Sequence, residues 1–378
     1  MRNQSNFFKK IKNFFGFCIY RVLIACLPAK KHREAEADIA VICMASLGDF
    51  IVFCAVAKWI HHNHKSIVLV CRENSGIEEF AEMTGYFQKI YPISIRFKNR
   101  IPNIIRLNLI SVKQVIVAPA ERHILSDLYA LSISANEYIM PNTLQACALP
   151  SLKKIIDHKV DKLIPVTAVY ELERYEQYLG DIQALQMPLL PYQFEQNAPE
   201  STLNRTPYIV VFPGAGGGTG KQWPVERYAT VLKWLQQKKQ CEIKICGTMS
   251  ERELGEQLKI LIGPHTENLC GKTNLMSLKD ILIKSILVLA NDSGSAHFSI
   301  ACNVPTLVIC GCWEYGRFYP NLRMPKNSIA VIIEKSTREC IPCGLSKPHC
   351  ISSGTVPCLL DISVQDVLDI LNSTIFHG

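Results

Sequence analysis

Residues 1–33 contain no aspartate or glutamate, and this absence accounts for the whole net charge of the chain. Eight cations lie there: Arg2, Lys9, Lys10, Lys12, Arg21, Lys30, Lys31 and Arg33. The formal charge is +8, and beyond residue 33 the remaining 33 basic residues balance 33 acidic ones. A neutral body has no electrostatic footprint for a long nucleic acid, which excludes that class of partner. Also lacking is an uncharged apolar run long enough for a bilayer. The stretch from Asn13 to Tyr20 falls well short of the roughly 20 residues required, and Arg21 interrupts the most apolar part. No small-x-small site follows it, which argues against a cleaved signal peptide.

What the first 33 residues do contain is an apolar stripe. Phe7, Phe8, Ile11, Phe14, Phe15, Cys18, Ile19, Val22, Leu23 and Cys26 recur at three- and four-residue steps, with cations on much of the remaining surface. A cationic amphipathic helix of this kind, ending near Pro28, suits a segment lying in the plane of an anionic membrane. The competing reading is a helix docked on its own protein.

At 378 residues the chain exceeds a typical single core, so two domains are expected, and 48% hydrophobic with 20% charged residues is a globular composition. Most of the 16 cysteines sit in apolar runs, as Cys43, Cys71, Cys246 and Cys310 do, and read as buried free thiols. Cys340, Cys343, Cys350 and Cys358 do not fit that pattern. Their C-x2-C-x6-C-x7-C spacing suits a structural zinc or an iron–sulfur centre, and a compact reduced loop suits it equally.

Strand and helix signals alternate along the chain. Asp38 to Met44 reads as a buried strand, followed by the turn Ala45–Asp49, a helix from Phe50 to His62 and a strand over Ile67–Cys71. Met187 to Pro207 has four prolines and no periodicity, which marks a linker. A second series then runs through a strand Tyr208–Phe212, a glycine-rich loop, a helix Pro224–Lys238, a strand Glu242–Cys246 and a helix Ser250–Leu261 with Ser250 and Glu253 as its capping box. A helix over Leu278–Lys284 follows. Near the end, Ser363 and Asp366 start an amphipathic helix, Val364–Leu371. Two α/β series of this kind imply two doubly wound domains facing a cleft.

Three segments carry candidate chemistry. Ile286–Gly311 reads as strand, turn, helix and strand, and its Asn291-Asp292-Ser293-Gly294 turn would leave backbone N–H groups unpaired at a strand's carboxyl end. That outlines a phosphate site, and equally an ordinary capped β-α turn. Phe212–Pro224 places glycines before Lys221, but Ala215 and Gln222 stand where a Walker loop needs glycine and a hydroxyl residue. A loop holding Thr219 and Lys221 can still offer one hydroxyl and one cation to a phosphate, or be a solvated connection. Asp49, at the end of the first strand, is either an N-cap or a general base facing the gap. His297, one turn into the later helix, is as readily a packed histidine as a ligand contact.

Ser46-Leu47-Gly48-Asp49, Pro213-Gly214-Ala215 with Lys221-Gln222-Trp223-Pro224, and Asn291-Asp292-Ser293-Gly294 with His297 together resemble glycosyltransferase family 9, the heptosyltransferases of lipopolysaccharide core assembly. The likeness runs from about Asp38 to Leu371 and extends to Gly271-Lys272-Thr273, Glu173-Arg174-Tyr175 and Asp361-Ile362-Ser363-Val364. It implies a GT-B fold of two Rossmann-like domains: an acceptor half at residues 34–190, a linker at 191–207, a donor half at 208–360 and a C-terminal helix within 361–378. The implied activity is inverting, metal-independent transfer of heptose from ADP-heptose to a lipopolysaccharide core or related lipid-linked glycan, at the cytoplasmic face of the inner membrane. Carried over by position, Asp49 would be the base, and Thr219, Lys221, Ser293 and Gly294 would hold the diphosphate. Asp292 and His297 would lie near the sugar and phosphates, and Glu251 and Thr273 at the nucleoside. No catalytic metal is implied.

The chain departs from the family pattern at Cys54-Ala55, Tyr170, Ser295 and Gly311-Cys312-Trp313-Glu314, positions that bear on the identity of the sugar and acceptor. A non-catalytic nucleotide-sugar or glycan-binding protein on the same fold is the alternative reading.

Overall fold

The computed structural model describes residues 20–24, 27, 33–120, 122–143, 150–195, 206–216, 219–313, 315–319, 323–331 and 355–375. The chain divides into two compact units between Leu189 and Leu190.

Unit 1 is built on a six-stranded sheet: β1 (Ala37–Cys43), β2 (Ile67–Arg72), β3 (Lys89–Ile93), β4 (Ser111–Ala118), β5 (Ser134–Asn142) and β6 (Lys162–Pro165). All neighbours pair in parallel, in the order β3-β2-β1-β4-β5-β6. Ile39, Val41 and Cys43 on one face of β1, and Ala40 and Ile42 on the other, are all buried. Burial on both faces explains why β1 reads as a continuous apolar run rather than an alternating one. The helices are α1 (Leu47–His62), α2 (Ile77–Thr84), α3 (Arg100–Leu107), α4 (Ile124–Ala130), α5 (Pro150–Asp157) and α6 (Glu171–Gln183).

Unit 2 repeats the plan with β7 (Tyr208–Phe212), β8 (Glu242–Ile245), β9 (Thr266–Asn268), β10 (Leu287–Asn291), β11 (Thr306–Ile309) and β12 (Ser328–Val331). Their order is β12-β11-β10-β7-β8-β9, again all parallel. Its helices are α7 (Val225–Lys239), α8 (Arg252–Ile262), α9 (Leu275–Ile283), α10 (Gly294–Ala301), α11 (Pro357–Leu360) and α12 (Val364–Ile370). Counted from each unit's first strand, both sheets have the doubly wound order 3-2-1-4-5-6. Strand order therefore reverses between β1 and β4 in unit 1 and between β7 and β10 in unit 2. The loops leaving the carboxyl ends of these strands flank the position where such sheets bind ligands.

Several boundaries differ from the sequence expectations for identifiable reasons. α1 begins at Leu47, not Phe50, because Ser46 caps it and Asp49 sits at the third helical position of a capping box. The box ahead of α8 is made by Thr248 and Glu251, not by Ser250 and Glu253. Pro224 is the residue before α7 rather than its first turn, and α9 starts at Leu275 behind an Asn274–Ser277 box. The box of Ser363 and Asp366 stands at the head of α12 as the spacing predicts. Pro92–Leu109, which the sequence leaves unassigned, holds the end of β3, a 3-10 turn at Phe97–Asn99 and α3.

Tyr192 and Phe194, within the proline-rich stretch, are buried on unit 2: the Phe194 amide donates to Ala301 O at 2.8 Å and its ring meets Phe298 edge-on. The rest of that stretch, residues 196–205, lies outside the described residues, as do residues 1–19. Of the basic segment, residues 20–24 are helical, Ile24 and Leu27 are buried, and Arg100 stacks over the Tyr20 ring at 4.7 Å. This end of the segment is docked on unit 1. No described helix is long and apolar enough to cross a membrane.

Candidate functional site

In unit 2 the register of β7 and β10 aligns Phe212 with Ala290, so their following residues leave the sheet side by side. Asn291, the last residue of β10, has no exposed surface. Its side-chain amide ties the two exits together. Nδ2 donates to Pro213 O at 2.7 Å and Gly214 O at 3.1 Å, and Oδ1 accepts from the Trp223 amide at 3.0 Å. One buried asparagine thus fixes both ends of the glycine-rich loop against the turn that opens α10. The sequence places Asn291 in a motif but gives no sign of this role, because all its partners are backbone atoms more than sixty residues away.

The far end of the loop is anchored from the C-terminus. Trp223 Nε1 donates to Ile362 O at 3.0 Å, and Arg227 donates to Leu360 O. Ile362, within the Asp361–Val364 motif, therefore supports the loop. Between the anchors, Thr219–Lys221 forms a 3-10 turn. The Lys221 ammonium lies 4.9 Å from the Trp313 ring centroid, which holds the cation by the ring's quadrupole. Trp313 belongs to the segment that departs from the family pattern. Its ring folds so closely over Gly311 that a Cβ there would come within 1.7 Å of it, which requires glycine.

On the other side of the exit, Ser293 precedes α10 as its N-cap without making a side-chain cap. Its Oγ is buried and has no hydrogen-bond partner among the described residues. A buried hydroxyl left unmatched beside helix N–H groups is free to donate to an anion bound there. The Asp292 amide donates to Ile309 O at 3.1 Å, which pins the turn to β11. Burial pushes the Cys310 thiol well up, and the nearby Asp292 charge adds to it. His297 stacks on Tyr319 (5.5 Å, 19°) and meets Phe318 edge-on, with Tyr319 Oη 3.4 Å from Nδ1. Both aromatics come from a loop that the sequence did not mark.

Glu251 closes the third side. Its carboxylate accepts from Thr248 N at 2.6 Å and Thr248 Oγ1 at 2.8 Å, and it abuts Gly214, where an added Cβ would lie 1.8 Å from Oε1. Gly271, at a φ of +74°, brings its backbone against Met249, and Thr273 follows it ahead of α9. Glu251, the glycine-rich loop and the α10 turn are thus gathered at the carboxyl ends of β7, β8 and β10.

In unit 1, Ser46 Oγ donates to Asp49 Oδ2 at 2.6 Å and fixes the carboxylate at the carboxyl end of β1. On the loop after β4, fully buried Glu171 accepts from the Ala120 amide at 3.0 Å, and Arg174 donates to Ala120 O at 3.0 Å. The Glu173–Tyr175 motif is thereby a brace on that loop, with Tyr175 packed edge-on against Phe53.

Cys340, Cys343 and Cys350 lie outside the described residues. Cys358 is buried in the core of unit 2, where its sulfur accepts from the Cys312 amide at 3.3 Å. Among the described residues no group of three or more histidine, cysteine or acidic side chains is placed to hold a metal ion. The thiols of the apolar runs are buried as expected, and desolvation pushes Cys71 in β2, Cys246 after β8 and Cys302 at the end of α10 up to about 12.

Residues 134–346 match the pattern of glycosyltransferase family 9 (heptosyltransferase), more than half of the chain. The chain belongs to glycosyltransferase family 9. Among its curated relatives, lipooligosaccharide heptosyltransferase 2 of Haemophilus ducreyi is 32% identical over 139 residues, covering 35% of this chain and 38% of the relative. Lipopolysaccharide heptosyltransferase 2 of Escherichia coli is 27% identical over 209 residues, covering 52% and 57%. The matched segments thus span about half or less of those relatives' length. The solved structure of the E. coli ADP-heptose lipopolysaccharide heptosyltransferase II superposes with a TM-score of 0.65 at 18% identity, covering 89% of this chain and 98% of that one. At that identity it shows the fold alone, which is GT-B. The family suggested by the three sequence motifs and the fold it implies are both shown.

Proposed function

We propose that this member of the family is an inverting glycosyltransferase that moves heptose from ADP-heptose to a lipopolysaccharide core or related lipid-linked glycan. The observation that carries the reading is the latch at Asn291, which holds the Lys221 loop beside an α10 N-terminus bearing an unmatched buried hydroxyl. This is chemistry for a diphosphate.

In the proposed reaction Asp49 takes the proton of the acceptor hydroxyl as its oxygen bonds to the anomeric carbon. The bond from that carbon to the diphosphate oxygen breaks with its electron pair leaving on ADP, so the configuration inverts. Lys221, the Ser293 hydroxyl and the N–H groups that open α10 stabilise the charge that develops on the leaving group, with Thr219 in the same turn. They supply in place what a divalent cation would otherwise supply. Asp292 and His297 lie beside the sugar and phosphates, and Glu251 and Thr273 border the nucleoside. The Ser46 hydroxyl holds Asp49 in one orientation, which favours a base aimed at a single acceptor position. Acceptors of this kind are membrane-borne, so the protein works as a peripheral one, with residues 1–33 contributing to the attachment. The cysteine cluster, as a structural zinc or iron–sulfur centre, would be separate from the transfer.

Purified protein with ADP-heptose and acceptor tests this. Asp49→Asn should lower transfer about 10²- to 10⁴-fold while ADP-sugar binding stays near wild type. Lys221→Met should weaken both. Wild-type turnover in Asp49→Asn would remove the base, and thermal stabilisation by UDP- or GDP-sugars but not by ADP-sugars would overturn the donor.

A further inference from the structure

Phe97, Ile101, Ile105 and Leu109 recur every fourth residue from the 3-10 turn through α3 into the turn after it, and all four stand out from the surface at 57%, 60%, 63% and 70% exposure. α3 is held to unit 1 by its opposite face. Asn103 and Leu107 are buried, and Asn103 Nδ2 donates to Ser94 O and to Tyr129 Oη. The helix therefore packs through one face and presents a row of aliphatic and aromatic side chains on the other. Scattered apolar residues are ordinary on a surface, but an aligned row of four marks a contact site.

Charge identifies what the row meets. Between Glu82 and Glu121 there is no acidic residue, and the interval carries Lys89, Arg96, Lys98, Arg100, Arg106 and Lys113. Lys113 is committed to Asp38. Arg96, Lys98, Arg100 and Arg106 flank the row along the chain, and Arg96 and Lys98 are exposed beside Phe97. Arg100 lies over both the Phe97 and Tyr20 rings, and Lys89 and Arg106 share the Tyr91 ring at 4.8 and 5.7 Å. A second copy of this chain docking on the row would bring these cations against their own kind. An anionic lipid surface complements them and accepts the apolar row between its headgroups. The Tyr20 contact places the end of the basic N-terminal segment at the start of α3.

We propose that the Phe97–Leu109 face of unit 1 is a docking surface for an anionic bilayer, with the four apolar side chains entering the headgroup region and the flanking cations on the lipid phosphates. This deepens the proposed function by placing the folded acceptor unit, and not only residues 1–33, on the membrane that carries a lipid-linked acceptor. The docking itself is measured without any transfer reaction, so the two readings fail separately.

The test is partition of the full chain onto phosphatidylcholine vesicles with and without phosphatidylglycerol. Binding should require the anionic lipid. Ile101→Glu with Ile105→Glu should lower partition at least about tenfold, and Arg96→Gln with Lys98→Gln about 25-fold, at roughly fivefold per cation. Both pairs should retain the wild-type thermal transition, since the apolar pair is solvent-facing, and transfer to a water-soluble acceptor should be unchanged. Independently, Ile105→Trp should shift its emission to the blue on adding anionic vesicles. The proposal is overturned if the wild type ignores anionic vesicles, or if the Ile101/Ile105 pair binds them fully with no shift at position 105, which would leave residues 1–19 as the anchor. It is equally overturned if the same pair only dissolves a dimer, which would make the row a contact between copies.

Discussion

Replacing Asn291 by alanine tests the latch most directly. The side chain is fully buried and makes three hydrogen bonds, and all three partners are main-chain groups of the glycine-rich loop and its exit. At about 1 kcal/mol net for each, the loss is about 3 kcal/mol, and the buried Trp223 amide left unmatched keeps it from being smaller. For a unit of this size that lowers the transition of unit 2 by about 6–12 °C. The loop should also lose its fixed position, so ADP affinity should fall about tenfold, as about 1.4 kcal/mol is then needed to order it. Calorimetry gives the transition, titration with ADP the affinity, and hydrogen exchange at the Trp223 amide the local event. Asn291→Asp separates geometry from volume. Its carboxylate keeps an acceptor for Trp223 but faces the Pro213 and Gly214 carbonyl oxygens, so it should be at least as unstable at neutral pH and recover partly on acidification, when protonation restores one donor. A transition within about 1 °C of wild type in Asn291→Ala, with the Trp223 amide still protected, would refute the reasoning.

Gly214→Ala should destabilise unit 2 by about 1–3 kcal/mol through overpacking against the Glu251 carboxylate. Truncating that side chain in a Glu251→Ala background should relieve most of the loss, so additive effects in urea unfolding would contradict the contact. Asp38, held down to about 2 by the hydrogen bond from Lys113 and those from Ser66, stabilises unit 1 once its unfolded counterpart is ionised, above about pH 4. That stabilisation is lost as pH falls from about 4 to about 2. Because Lys113 is largely solvent-exposed it amounts to about 1 kcal/mol rather than the full shift. Lys113→Met should therefore lower stability at pH 6 and much less at pH 2, and an equal loss at both would refute it.

The alternation of buried runs and helical periods carried the two-unit α/β architecture, because parallel strands buried on both faces must be continuously apolar. Ile39–Cys43 and Leu287–Ala290 show this directly. The order and spacing of three short motifs carried the family. Local rules also placed the cap of Ser363 and Asp366, where donor and acceptor are three residues apart, but missed the boxes of Ser46 with Asp49 and Thr248 with Glu251 by a few residues. What the sequence by itself could not supply is every relation that spans the chain. That Asn291 latches Pro213 and Trp223, that Glu251 shapes the space at Gly214, that Trp313 holds Lys221, and that Ile362 anchors the loop through Trp223 all depend on β10 lying beside β7. The exposed row at Phe97–Leu109 was hidden for a related reason. The segment is unassigned by sequence alone, and only the packing of α3 through Asn103 and Leu107 shows which of its apolar residues face outward. Propensity and capping act over three or four residues and are written locally, whereas a buried polar contact or a helix's choice of face is settled only when the distant surfaces that share it are folded together.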